Sequence, residues 1–354
     1  MKILVIQQKM IGDVLATSIL FEAIKQNYPE AELHYVINTH TYPVVENNPF
    51  IDYFHFITPK QEGSKFQLYK FARDINKQNF DVVIDVYSKF SSNLITSISK
   101  AKIKISKYKW YTSFIYSDTF EEAKTPKTNA GLAIENRLQL LTPLEKVDIN
   151  LIIKPQIHLT DSEKTKARLH LESHNINLDQ PLFMIGVLGS GITKTYPIKK
   201  MASVIDTIVL EKPESQILFN YIPKQEKDAR AIFELCSTET KKHIYFNVFG
   251  NSLRDFLAMT WHCDALIGNE GGATNMAKAL NIPTFTIFSP WIRKEAWNMF
   301  DDNKKNVSVH LKDYKPELFS KNTTKNLKKN WQVLYEKFDP SLFKSSFLNF
   351  LRHI

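Results

Sequence analysis

Leu266-Ile-Gly-Asn-Glu-Gly-Gly-Ala-Thr-Asn-Met-Ala-Lys-Ala-Leu-Asn-Ile-Pro-Thr-Phe-Thr-Ile-Phe-Ser-Pro-Trp291 is the stretch whose reading decides the fold. The apolar run Ala265–Ile267 breaks at Gly268-Asn269-Glu270-Gly271-Gly272. A helical spacing through Met276, Ala277 and Leu280 follows, and Pro283 ends it. The pattern predicts strand, tight turn, helix, strand. Paired glycines let the backbone turn sharply and let a ligand approach, and the amides of a helix start at Ala273–Asn275 suit an anion such as pyrophosphate. Glu270, just before those amides, is placed to hold a ribose hydroxyl or to set the loop. An ordinary βα turn with Glu270 as a capping acid has the same spacing.

Working outward, the same grammar recurs. The chain opens with an apolar strand at Lys2–Gln7, a loop at 8–13 and a helix from Val14 with Leu15, Ile19, Leu20, Ala23 and Ile24 on one face. Tyr28-Pro29-Glu30-Ala31-Glu32 leads into a second strand. From Pro181 it restarts: a strand at Leu182–Val187, the loop 188–195, a helix at Ile198–Glu211, then Lys212-Pro213-Glu214 and another strand. Both halves read strand, loop, helix, Pro-Glu, strand, which favours two successive Rossmann-like α/β domains over one large sheet. We place them at 1–160 and 161–330, with a helical tail over 331–354 whose Leu334, Tyr335, Phe338, Phe343, Phe347 and Phe350 should pack back on the body. In such domains ligands bind at the carboxyl ends of the strands, so loops 8–13, 188–195 and 268–274 are expected to converge on one cleft.

Composition narrows the classes. The 354 residues suffice for two domains, and 43% hydrophobic with 23% charged residues fits an ordinary globular core. Cys236 and Cys263 alone cannot build a disulfide framework or a cysteine zinc site, which points to a reducing compartment. The N-terminal apolar run is too short for a signal peptide and no apolar segment reaches membrane-spanning length, so a cytoplasmic protein is expected. A net charge of +9 calls for anionic partners. Lysines gather at 100–109, where they alternate with Ala101, Ile103 and Ile105 as on a half-buried strand, and at 304–329, which reads as a solvated surface. Nucleic acid is disfavoured: no zinc-finger, RNA-recognition or helix-turn-helix signature is present. A nucleotide-binding oxidoreductase is disfavoured because no Gly-x-Gly-x-x-Gly follows the first strand.

Three motifs carry a family resemblance: Ile-Gly-Asp-Val-Leu-Ala-Thr at 11–17, Gly-Ser-Gly-Ile-Thr-Lys-Thr-Tyr-Pro at 189–197, and Gly-Asn-Glu-Gly-Gly-Ala-Thr-Asn-Met-Ala-Lys-Ala-Leu at 268–280. In this order and spacing they resemble the glycosyltransferase family 9 heptosyltransferases. The resemblance implies a GT-B fold and inversion at the anomeric carbon. It also implies an ADP-heptose-like donor in the C-terminal domain, a lipid-linked lipopolysaccharide-type acceptor on the N-terminal side, and no cofactor or metal. The chain has no Asp-x-Asp motif of the metal-dependent glycosyltransferases.

Carried over, Asp13 matches the family's catalytic base, a role a carboxylate can fill by taking the proton of an attacking acceptor hydroxyl. A helix-capping role for Asp13 is compatible with it. Lys194 matches the lysine that meets the donor diphosphate, with Ser190 and Thr193 as hydroxyl donors and Gly271, Gly272, Ala273 and Thr274 as amide donors. Glu270 stands where many members have aspartate. Glu226 is a candidate for the nucleoside ribose. Lys89 and Arg137 are candidates for the acceptor, although Ala133 lies where a histidine is often found. The net charge and the lipid-linked acceptor make an anionic membrane surface a further candidate partner. A homologue that binds nucleotide or glycan without catalysis, or one using another nucleotide sugar, is the alternative.

Overall fold

The fold is that of a computed structural model, which describes residues 1–320 and 322–354; Lys321, in the second lysine cluster, lies outside the described residues. The chain divides into two compact units, Met1–His158 and Leu159–Ile354.

The first unit is built on β1, Lys2–Ile6, whose Ile-Leu-Val-Ile run is wholly buried. A run apolar on both faces belongs at the centre of a parallel sheet. β1 pairs with β2 (Glu32–Asn38) on one side and β4 (Val82–Asp85) on the other, all parallel. With β3 (Tyr53–Ile57), β5 (Ile103–Lys107) and β6 (Asp118–Phe120) the order is β3-β2-β1-β4-β5-β6, the doubly wound order of dinucleotide-binding domains. Leu4, Ile6, Val36 and Val83 pack under Ala72, Ile75 and Ile95 from the covering helices Lys65–Asn76 and Phe90–Ile98. The expected basic strand around 102–105 is β5, with Ile105 buried and Lys104 and Lys107 half-buried; Lys102, exposed, precedes it.

Two features differ from the sequence reading. The first helix begins at Ile11, not Val14, and gives way at Ser18 to a second helix, Ile19–Asn27. Asp13 therefore lies within a helical first turn, not on a loop. Strands β3 and β6 had no place in that reading; the first is a half-exposed edge strand and the second is three residues long.

The second unit carries β7 (Leu182–Gly186), β8 (Gln216–Phe219), β9 (Ala265–Asn269), β10 (Thr284–Ile287) and β11 (Asn306–Val309), parallel throughout in the order β11-β10-β9-β7-β8. Alternate residues feed two cores. Phe183, Ile185, Ile267 and Phe285 meet the helix Ile198–Glu211, while Leu182, Met184 and Leu266 meet Leu171, Met259 and Ala277.

The tail joins the first of these cores. Phe338, Phe343, Phe347 and Phe350 are buried around Phe285 and Tyr196, and Tyr196 Oη donates to the Phe338 carbonyl at 2.7 Å. Each such phenyl ring withdraws roughly 1.5–3 kcal/mol of transfer free energy from water, so residues past 331 are part of this unit's core. The unit's opening helix, Asp161–Ser173, starts with a capping box between Thr160 and Glu163. Glu163 also takes two 2.6 Å bonds from Arg254 on the helix Leu253–Trp261, and that guanidinium holds its carboxyl down at about 2. Among the described residues no helix is long and apolar enough to cross a membrane.

Candidate active site

In a doubly wound sheet, ligands bind beyond the carboxyl ends of the strands where the strand order reverses. In the first unit that point lies between β1 and β4. The chain leaving β1 enters the helix Ile11–Thr17, which places Asp13 in its first turn, close to the amide-rich end where a carboxylate is favoured. Its side chain makes no capping bond. Asp13 Oδ1 instead takes a 2.8 Å bond from Arg137 Nη2, and among the described residues Oδ2 accepts none. Arg137 is fixed in turn: Nε donates to Thr17 Oγ1 at 2.8 Å and Nη1 to the Ala133 carbonyl at 2.6 Å. The fork of one guanidinium thus ties the helix Leu132–Leu138 to the helix that carries Asp13. Asp13 keeps a quarter of its side chain exposed and Arg137 about a tenth. Arg137 was expected to read the acceptor; the structure places its donors on Asp13, Thr17 and the Ala133 backbone.

Lys89 is exposed at the start of the helix Phe90–Ile98 and lies beside Lys109. At the end of β4, Asp85 is fully buried. It accepts from Ser88 N and Tyr116 Oη, both at 2.7 Å, and burial nevertheless pushes its carboxyl up to about 6.

In the second unit the order reverses between β7 and β9. The loops leaving these two strands carry Lys194 and Glu270. Gly268 is required here: a Cβ would lie 2.3 Å from the Gly186 carbonyl oxygen, and φ is +142°. Asn269, next in line, clamps the two loops, with Nδ2 donating to the Gly186 carbonyl at 2.9 Å and Oδ1 accepting from Tyr196 N at 2.6 Å. Gly271, at φ +153° with open space where a Cβ would be, starts the helix Gly272–Ala279, so the first-turn amides of Gly272, Ala273 and Thr274 have no helical acceptor. Thr274 itself is buried, with Oγ1 on the Asn269 carbonyl.

Lys194 Nζ stands 3.3 Å from Glu270 Oε1, within ion-pair range but outside hydrogen-bond geometry, which leaves that oxygen buried with no hydrogen bond. Burial raises the Glu270 carboxyl, and Lys194 opposes the shift. Thr193 sits beside Lys194, and its carbonyl is held by Ser289 Oγ at 2.9 Å and Trp291 Nε1 at 2.8 Å. The Trp291 ring carries Lys194 Nζ at 5.8 Å and Lys328 Nζ at 4.8 Å from its centroid, so two cations gather there. Ser190 is exposed. Gln225 Nε2 donates to the Gly189 carbonyl at 2.8 Å and so brings the start of the helix Glu226–Leu235 to this loop. Glu226 is more than half exposed there, 3.5 Å from Arg230. Beside it, Phe219, Asn220, Tyr221, Val248, Phe249 and Gly250 line a small pocket past β8.

The supporting residues Thr17, Asn269, Ser289 and Trp291 were not singled out from sequence. Asn269, Ser289 and Trp291 sit inside the stretch 266–291, and the strand–turn grammar alone did not distinguish them from their neighbours.

A family model for "Glycosyltransferase family 9 (heptosyltransferase)" matches residues 68–328. Lipopolysaccharide heptosyltransferase 1 of Campylobacter coli is 24% identical over 292 residues, covering 81% of this chain and 84% of that one. Among solved structures, a glycosyl transferase family 9 protein from Veillonella parvula superposes with a TM-score of 0.78 at 17% identity, covering 100% of this chain and 97% of that one. The Escherichia coli heptosyltransferase WaaC, solved with ADP-2-deoxy-2-fluoro heptose, does so with a TM-score of 0.66 at 15% identity, over 87% and 93%. The two parallel α/β units are those of the GT-B fold, and the chain belongs to glycosyltransferase family 9, the heptosyltransferases.

Proposed function

We propose that the protein transfers a heptose from ADP-heptose to a lipopolysaccharide-core acceptor with inversion, and that it needs no metal. The observation that carries the reading is the convergence, at the strand-order reversal of the second sheet, of Lys194, Glu270 and the helix-start amides of 272–274. A diphosphate is the ligand that such amides and a partly exposed ammonium suit. The nucleoside lies toward Glu226 and the pocket of Tyr221 and Phe249. The Glu270 oxygen, which takes no hydrogen bond among the described residues, accepts from a donor hydroxyl.

In the reaction, Asp13 takes the proton of the acceptor hydroxyl as that oxygen attacks C1 from the face opposite the diphosphate. The C1–O bond to phosphate breaks, the electron pair leaves with ADP, and Lys194 neutralises the charge that grows there. Asp13 ends protonated, and Arg137 keeps its carboxylate aimed. Ser190 and Thr193 add hydroxyls to the phosphates, and Lys89 meets anionic groups of the acceptor.

Calorimetric titration of ADP, UDP and GDP, repeated with Lys194→Ala, tests the donor. ADP is expected to bind selectively and about ten- to a hundredfold more weakly to the variant, the worth of a hydrogen bond to a charged group. UDP or GDP preference overturns the donor, and no nucleotide binding overturns the reading. Asp13→Asn should abolish transfer while leaving ADP affinity intact.

A further inference from the structure

From Val86 to Ser117 the chain has six lysines and no aspartate or glutamate. Within this stretch lie some of the most exposed large apolar side chains of the protein. Trp110 is 79% and Phe114 83% exposed, Tyr108 and Tyr111 about half, and Phe90 65%. They occupy the turn that leaves β5 and the start of the helix Phe90–Ile98. Lys109 joins the two places by donating to the Ser88 carbonyl.

This exposure is built in. Thr112 N and Ser113 N both donate to the Lys109 carbonyl, at 3.0 and 2.9 Å, and Ile115 N donates to Thr112 O at 3.0 Å. Tyr108 N donates to Phe120 O at 2.7 Å, and Tyr116, which follows the turn, is anchored through its hydroxyl to buried Asp85 and Asn93. A backbone fastened at both ends holds Trp110 and Phe114 outward. Around them positive charge is in excess: Lys89 and Lys107 crowd Lys109, and the surface carboxylate beside them, Glu122, is paired to Lys107 at 3.2 Å.

Exposed aromatic rings interleaved with lysines that outnumber the carboxylates suit one environment in particular. Indole and phenol rings settle at the headgroup level of a bilayer, and lysines there are drawn to anionic lipid phosphates. A saccharide platform would set fixed hydrogen-bond acceptors beside the rings, and the carboxylate found here, Glu122, is already taken by Lys107.

We propose that Phe90, Tyr108, Trp110, Tyr111 and Phe114, ringed by Lys107 and Lys109, form a lip that seats in the interface of an anionic bilayer. The proposal rests on the transferase reading for its purpose, since a lipid-linked acceptor is reached from such a seat, and on the exposed rings and the charge for its physics.

The test is sedimentation of the full chain with vesicles of phosphatidylcholine alone and of phosphatidylcholine with phosphatidylglycerol. Binding should require phosphatidylglycerol and weaken steeply with added salt. Trp110→Ser with Phe114→Ser should lower the partition by about tenfold or more, because attachment scales with buried apolar area. Unchanged melting of the double variant shows that it is folded. The proposal is overturned if the double variant binds vesicles like the parent, or if the parent ignores lipid charge. Dimerisation without lipid that the same substitutions remove would also overturn it, because a second copy would then be the occupant. The vesicles carry neither donor nor saccharide, so a failed transferase assay leaves this result standing, and the reverse.

Discussion

Gly189→Ala is the substitution whose consequence follows most directly from the packing of the 188–195 loop. A Cβ built on Gly189 lies 2.3 Å from the Lys194 carbonyl oxygen and 2.6 Å from its carbon, where ordinary contact begins at 3.4 Å. Something must move by roughly an ångström, and both strands of the loop are pinned. Gly189 N donates to Thr195 Oγ1 and its carbonyl accepts from Gln225, while Thr193 O is held by Ser289 and Trp291. Relief therefore breaks one or two hydrogen bonds, at about 1 kcal/mol each, or displaces Lys194 from Glu270. Misplacement by an ångström costs a positioned group on the order of a hundredfold in activity. We expect ADP affinity in calorimetry to fall at least about tenfold, and the melting temperature of the second unit to drop by roughly 2–8 °C. Gly191→Ala is the matched control, because nothing lies within 4 Å of its Cβ and its φ of −177° is extended. Parental ADP affinity in Gly189→Ala would refute the reasoning, as would equal losses in both variants, which would mean that loop stiffness and not the clash matters.

Two further predictions concern the first unit. Arg137→Met should lower kcat by about ten- to a hundredfold with little change in the acceptor KM, because Arg137 holds Asp13, the proposed base; a raised KM at unchanged kcat would show instead that it contacts the acceptor. Asp85 sets a pH dependence. Its carboxyl is raised from 3.8 to about 6 in the fold, so between those values the unfolded chain gives up its proton first and stability falls as pH rises, by as much as about 3 kcal/mol. Asp85→Asn keeps an oxygen for Ser88 N and a group for Tyr116, and escapes that loss. Its melting advantage over the parent should therefore grow between pH 4 and 6 and level off above, and a pH-independent difference would refute the assignment.

Local chemistry explains how much could be read without coordinates. The runs Lys2–Ile6, Leu182–Gly186 and Ala265–Asn269 are apolar on both faces, as a covered parallel strand requires, and the glycines at 268 and 271 announce a turn at positive φ that other residues rarely adopt. Glu270 was legible from that turn, whereas Asp13 and Lys194 were singled out by the family resemblance of their motifs and not by periodicity. The strands β3 and β6 were not, because half-exposed or three-residue edges leave almost no periodic signal. The first helix began a turn early because nothing in Met10-Ile11-Gly12 marks a cap.

The sequence by itself therefore determined the alternation of strand and helix, the two α/β halves and the positions of the loops that leave β1, β7 and β9, all properties of windows a dozen residues long. Only the tertiary structure decided the partners. Arg137 reaches Asp13 across 124 positions, Trp291 holds a carbonyl 98 residues away, and Tyr196 bonds to Phe338 across 142. Such pairs form because sheet order and helix packing bring particular faces together, and no local pattern records which faces will meet.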